Sequence, residues 1–158
     1  MVVEKKFRET MGHFPTGVTV VTTRERDGDP AGLTVSAFTS VSLHPILVMV
    51  CIHQDASAHD LMVKGVSFAV NVLSSEQGEL AKRFATGIPE ERFQDLDVED
   101  SPLGNPLFPD SLAWLDCRVT EVFPGGDHSL VLAEVVSCFA GDGDPLLFHR
   151  GALRSMGS

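Results

Sequence analysis

The chain has 158 residues, 43% of them hydrophobic, which suffices for a buried core and for one domain over residues 1–158. Its 22 acidic residues outnumber its 12 basic ones, for a formal net charge of −10 with His neutral. That excess argues against nucleic acid or a membrane surface as partner, since both recruit basic patches, and it leaves any bound phosphate to be held locally by backbone N–H groups and one or two cations.

The N-terminus, MVVEKKFRET, is charged and has no apolar leader core, and no apolar run approaches the roughly 18 residues of a membrane span. Phe7, Met11 and Phe14 recur at helical spacing across residues 4–13, and Phe14-Pro15-Thr16-Gly17 ends that helix. The β-branched run at 18–23 reads as a strand, and residues 24–30, RERDGDP, read as a hairpin turn with Asp27-Gly28 at its tip.

Residues 32–52, GLTVSAFTSVSLHPILVMVCI, predict the next two strands. Thr34, Ser36, Thr39, Ser40 and Ser42 alternate with Val35, Ala37 and Val41, giving one small, hydrogen-bonding face. Residues 46–52 are apolar at every position, the pattern of a strand buried on both faces. Small polar groups over a rigid apolar wall suit a flat ligand with polar edges.

Beyond it, Ser57 with Asp60 has a form close to a capping box for a short helix ending near Lys64-Gly65, and the N-terminus of that helix offers N–H groups to an anion. Residues 67–73 alternate as a strand, and Ser74 with Gln77 repeats the capping signature before a helix through Phe84. Residues 87–110 hold four prolines and many acids, and read as a long loop over a site or a partner subunit, with one helical turn near 90–93. Leu115, Cys117 and Val119 alternate with Asp116, Arg118 and Thr120 as a half-exposed strand. Turns at 124–127 and 141–145 lead into strands at 128–139 and 146–149, and Arg150 to Arg154 form a basic end.

Many short strands with tight turns and few helices predict a mostly β fold, a β meander curled into a closed or nearly closed antiparallel barrel. No G-x-G-x-x-G, P-loop or Gly-x-Ser-x-Gly elbow is present. The six histidines show no i, i+4 pair, and Cys51, Cys117 and Cys138 form no C-x-x-C pair, so zinc is not expected. An odd number of scattered cysteines indicates free thiols in a reducing, cytoplasmic setting.

Four segments in order carry a resemblance: FPTGVTVVTT at 14–23, the stretch 32–52, FAVNVL at 68–73 leading to Arg83-Phe84-Ala85, and Gly126-Asp127-His128-Ser129 leading to Phe148-His149-Arg150-Gly151. Together they resemble the flavin reductase family, whose members have the FMN-binding split barrel, an antiparallel Greek-key type of fold. The resemblance implies an NAD(P)H:flavin oxidoreductase that reduces FMN or FAD with NADH or NADPH for a separate monooxygenase component, usually as a homodimer. It places Thr34, Val35, Ser36, Ala37 and Ser40 along the flavin ring. Cys51, His53 and Ser57 fall at the ribityl chain and phosphate, with Arg83 and Phe84 near the same phosphate. His128 falls on the nicotinamide side, and Arg150 to Arg154 approach the nicotinamide nucleotide. The alternative is a flavin-binding or electron-carrier protein of the same fold, which needs neither His128 nor the basic end.

Overall fold

A computed structural model describes residues 1–156. Helix α1 (Glu4–Gly12) is followed by the short strand β1 (Thr16–Gly17) and by β2 (Thr19–Arg24), β3 (Pro30–Val35), β4 (Phe38–Leu43) and β5 (Ile46–His53). Helix α2 (His59–Lys64), strand β6 (Ser67–Val72), a 3-10 turn at Ser75–Gln77 and helix α3 (Gly78–Thr86) come next. After a second 3-10 turn at Pro89–Glu91 come two short strands, β7 (Glu99–Asp100) and β8 (Pro106–Leu107). The long strands β9 (Ala113–Gly125) and β10 (His128–Ala140) precede β11 (Leu146–His149) and β12 (Ala152–Ser155).

Seven strands form one antiparallel sheet in the order β3-β2-β6-β9-β10-β5-β4. Its two edges, β3 and β4, are joined in sequence by Ser36 and Ala37 alone. A sheet whose opposite edges are tied so closely has to curl until they meet, so the chain itself closes the barrel where no ladder does. The Cys51 N–H donates to the Ala37 carbonyl at 2.9 Å and pins this seam to β5. The architecture is the expected mostly β split barrel. The path is not a meander, however, because β6 inserts between β2 and β9, and the sheet is assembled from the hairpins β2–β3, β4–β5 and β9–β10.

Period-two alternation divides the apolar side chains between two clusters. Val21, Leu33, Val50, Ile52, Phe68 and Val131 belong to the barrel interior, which Met62 of α2 plugs. Val18, Val20 and Leu73 face the other way and meet Ala81 and Phe84 of α3 and Phe108. Strand β2 is therefore buried on both faces. Strand β5, expected to be so, is not: Val48, Val50 and Ile52 are buried, Leu47, Met49 and Cys51 are only partly covered, and Ile46 is 53% exposed. Its inner face meets the core while its outer face has little over it. The stretch 32–52 also yields three strands rather than two, because the ladder breaks at Ser36 and Ala37.

Two further expectations are corrected. Ser57 does not cap α2; Ala58 holds that position without a side-chain bond, and Asp60 turns instead to Lys64 at 2.6 Å and His59 at 3.1 Å. Asp116 is fully buried rather than half exposed, accepting from the Leu103 N–H at 2.8 Å and Asn105 Nδ2 at 2.9 Å, because the β7–β8 hairpin folds over β9. The Ser74–Gln77 capping box does form, with the Gln77 side chain accepting from the Ser74 N–H at 2.9 Å. The segment 87–110 is folded down by Arg83, whose Nη2 donates to the carbonyls of Glu91 and Gln94, and by Phe93, which packs edge-on against Phe84 at 4.9 Å.

Gly32 is where β3 comes closest to its neighbours. A Cβ there would lie 2.9 Å from the Val21 carbonyl oxygen and 3.1 Å from Phe84 Cε1. The Gly32→Ala variant should lose about 1–3 kcal/mol of stability through overpacking against backbone that the β2–β3 ladder holds in place. A urea midpoint equal to that of the parent protein would contradict this packing.

Candidate functional site

The seam opens on a cavity of about 560 Å³, within the usual range for small-molecule sites. One wall is the end of β3 and the seam itself, Leu33 to Ala37; the other is the end of β5 with the turn beyond it, Cys51 to His53 and Asp55 to Ser57. Phe84 of α3 closes the bottom and His128 of β10 stands at the side.

The seam contributes backbone more than hydroxyls. Thr34 Oγ1 donates to the Ala81 carbonyl at 2.6 Å, which ties β3 to α3, and Thr19 Oγ1 donates to the Val35 carbonyl at 2.6 Å. The amide N–H groups of Ser36 and Ala37 have no hydrogen-bond partner among the described residues. Cys51 flanks them, and burial pushes its thiol above the ordinary pKa, so it stays neutral.

The register of β10 against β5 sets His128 directly opposite His53, and their rings meet edge-on at 4.9 Å. Asp127, in the turn before β10, reaches both. Its Oδ1 is 2.7 Å from His128 Nδ1 and its Oδ2 is 3.7 Å from His53 Nε2. His53 Nδ1 accepts from the Asp55 N–H at 3.1 Å, so its proton sits on Nε2, facing Asp127. A carboxylate only accepts, so His128 carries a proton on Nδ1 and presents Nε2 outward. Gln54 locks the turn in place, its N–H donating to the Asp127 carbonyl at 2.9 Å and its Nε2 to the Gly126 carbonyl at 3.2 Å.

At the far end lies Arg92, only 8% exposed. Its Nη1 donates to the Gly32 carbonyl at 2.9 Å and to Ser57 Oγ at 3.2 Å, and its Nε to the Gly87 carbonyl at 3.2 Å. Desolvation pulls its pKa below the ordinary guanidinium value, partly offset by the charge of Glu90. Among the described residues Arg92 forms no ion pair. A buried cation without an ion-pair partner is a ready anion site.

Of the residues singled out from sequence, Thr34, Val35, Ser36, Ala37, Cys51, His53, Ser57, Phe84 and His128 all line this cavity. Phe84 does so as part of the core, at 1% exposure. Ser40, Arg83, Arg150 and Arg154 do not line it. Ser40 is exposed on β4, where the edge strand has turned away from the seam. Arg83 spends its Nη2 on the loop carbonyls. Arg150 takes a left-handed backbone, φ 51, with its N–H on the Gly12 carbonyl, and Arg154 lies beside Lys82 and Ser75 in a separate hollow. Arg92 and Asp127 carry little signal in the sequence itself: Asp127 is the second residue of Gly126-Asp127-His128-Ser129, and Arg92 is one basic residue in an acidic loop.

The donor set fits a flavin mononucleotide moiety: free amides at the seam for a heteroaromatic edge, apolar Leu33, Val35 and Ile52 beside them, and Arg92 bonded to Ser57 in the same cavity for a phosphate. The proteins this chain resembles are flavin reductases. A family model described as Flavin reductase like domain matches residues 11–157. The chain is 41% identical over 146 residues to the reductase component of a 4-nitrophenol 4-monooxygenase/4-nitrocatechol 2-monooxygenase from Rhodococcus opacus, covering 92% of this chain and 77% of that one. It is 40% identical over 148 residues to an FMN reductase (NADH) of Agrobacterium fabrum, with 94% and 83% covered. A solved NADH:FAD oxidoreductase of Streptomyces globisporus, in complex with NAD and FAD fragments, superposes with a TM-score of 0.89 at 36% identity, over 98% and 94% of the two chains.

The Asp127–His128 contact has a measurable signature. The hydrogen bond from His128 holds the Asp127 carboxyl below its ordinary range. A depressed folded value stabilises the fold above the unfolded pKa of about 3.9 and loses that contribution as pH falls through the lower folded value. In an NMR titration Asp127 should therefore titrate below about 3.9, and His128→Ala should move its midpoint up towards that value. A midpoint that ignores the substitution would refute the contact.

Proposed function

The chain belongs to the flavin reductase like family and is an NAD(P)H-dependent flavin reductase, and we propose that the seam cavity is where it brings its two cofactors together. With FMN or FAD and NADH or NADPH bound, the chemistry is theirs, a hydride passed from a nicotinamide to a flavin. The protein contributes position and electrostatics. Ser36 and Ala37 offer their amides to the polar edge of the ring, where negative charge develops on reduction. Arg92, steadied by Gly32 and Ser57, holds phosphate at the other end. Asp127 fixes the His128 ring so that Nε2 meets the nicotinamide side in one orientation. Leu33, Val35 and Ile52 keep the ring wall dry.

The observation that carries this reading is the meeting, in one cavity, of unpartnered seam amides, a buried guanidinium with no ion-pair partner and a carboxylate-oriented histidine. A flavin store needs the first two and has no use for the third, so the Asp127–His128 pair favours turnover. Relatives of this chain are reductase components of monooxygenases, so its reduced flavin serves a separate oxygenase. We read the chain as one domain that pairs as a homodimer through α1. That helix buries none of its residues and leaves Phe7 57%, Met11 49% and nearby Phe14 69% exposed. Three free thiols support a reducing, cytoplasmic setting.

Purified protein mixed with NADH or NADPH and free FMN or FAD should deplete the nicotinamide absorbance band; no oxidation with any pairing would sink the reductase reading. Arg150 and Arg154 are left without a catalytic part, so their Ala variants should turn over like the parent. His128→Ala should lower kcat/KM for the nicotinamide by about 10- to 100-fold, the cost of a mispositioned reactant, while the flavin Kd stays within about twofold. Equal loss of both would remove His128 from the nicotinamide side.

A further inference from the structure

A second cavity, of about 430 Å³, lies behind Arg92 and shares only Ser57, Pro89 and Arg92 with the seam cavity. Neither the seam residues 33–37 nor His128 lines it. Its walls combine apolar groups, Pro30, Ala31 and Leu61, with three carboxylates, Glu25, Asp29 and Glu90. We propose that this cavity receives the adenosine half of FAD, with Arg92 at the waist taking the diphosphate, so that the site is built for the dinucleotide flavin. The proposal rests on the flavin reductase reading and specifies its substrate.

Three features point the same way. A ligand that fills both cavities must be narrow and anionic where it passes Arg92, and FAD is two flat heterocycles joined through a diphosphate. Arg92 is suited to such a waist. Its Nη1 and Nε are held by Gly32, Ser57 and Gly87, but Nη2 donates to no acceptor among the described residues, and no carboxylate forms an ion pair with the guanidinium, Glu90 acting on it only through its charge. The two N–H groups of Nη2 are the donors left free, enough to give one hydrogen bond to each phosphate of a diphosphate.

The carboxylates are the third feature. Adenosine is rich in donors, two ribose hydroxyls and the adenine amino group, and an acidic side chain can accept from a ribose hydroxyl, as one does in the Rossmann-type sites for NAD. Glu25, Asp29 and Glu90 are exposed, so their repulsion on the diphosphate is screened by solvent, whereas the attraction of the buried Arg92 is not. Pro30, Ala31 and Leu61 supply the apolar surface on which a purine lies. FMN ends at Arg92 and leaves all of this unused.

The test is flavin binding, read by quenching of flavin fluorescence and by calorimetry. The parent protein should bind FAD at least about tenfold more tightly than FMN, or about 1.4 kcal/mol. Ala31→Trp fills the second cavity and should abolish that preference, raising the FAD Kd by about tenfold while the FMN Kd moves less than about twofold; retained FMN binding reports that the variant is folded. Glu90→Gln, an exposed and milder change, should weaken FAD selectively by a few-fold. Equal FMN and FAD affinities in the parent, or a loss in Ala31→Trp shared by both flavins, would overturn the proposal. If the parent still oxidises NADH with either flavin in that event, the reductase reading stands alone; if it binds neither, both fall.

Discussion

Two residues hold this fold to its shape. Strands β3 and β4 are the opposite edges of a seven-stranded sheet, and Ser36 and Ala37 are all that separates them in sequence. Twist alone would leave such a sheet open, with two edges offering unpaired backbone groups to other chains. The short tether brings the edges together, yet β3 and β4 do not pair with each other across it, as β4 with β5 and β9 with β10 do across links equally short. The ladder therefore stops at the seam, and amide groups that a closed barrel would consume are left facing a cavity. Closure and binding site come from the same two peptide units.

The second constraint is electrostatic. A chain with a net charge of −10 repels phosphorylated ligands at long range, and exposed lysines among its surface carboxylates would be screened or neutralised. One guanidinium, buried and surrounded by neutral acceptors rather than by a carboxylate, works differently. Burial costs it solvation, which is why its pKa falls, and carbonyls from Gly32 and Gly87 with the Ser57 hydroxyl repay only part of that. An arriving anion supplies the rest. Arg83, nearby in sequence, does the structural counterpart of this work: it holds the carbonyls of Glu91 and Gln94 and so keeps Arg92 folded inward.

Much of the barrel can be read from local pattern. The strand β6, the Asp27-Gly28 turn and the Ser74–Gln77 capping box are decided by residues near one another in the chain, and the structure has them where the pattern put them, although β6 is buried on both faces rather than on alternate residues. What escaped is decided at long range. The burial of Asp116 depends on a hairpin that arrives from residues 99–107. Arg92 looks like any solvated charge in PEERFQD until Arg83 folds the loop back. Ser40 belongs to the hydroxyl run that suggested a polar floor, but the seam turns the chain between Ser36 and Phe38, so the alternation before the break does not continue onto the same wall after it. Ser57 has the residue types of a helix cap and sits one position too early to be one.

His128 shows how little of the site is left to a loop. It begins β10, next to the turn, where side chains are ordinarily free to move. Seven consecutive residues of β10, from His128 to Glu134, pair in register with β5, and their inward members Val131 and Ala133 are fully buried. Sliding β10 by one residue would send both of these into solvent and turn His128 away from the cavity, so the core energy of two apolar side chains forbids the slip. The same register sets His53 opposite, and the Gln54 bonds to the turn carry it on to Asp127. The orientation of the imidazole is therefore inherited from the packing of the barrel, and a change at Val131 or Ala133, out of reach of any cofactor, would be felt at His128 Nε2 before it was felt at the seam.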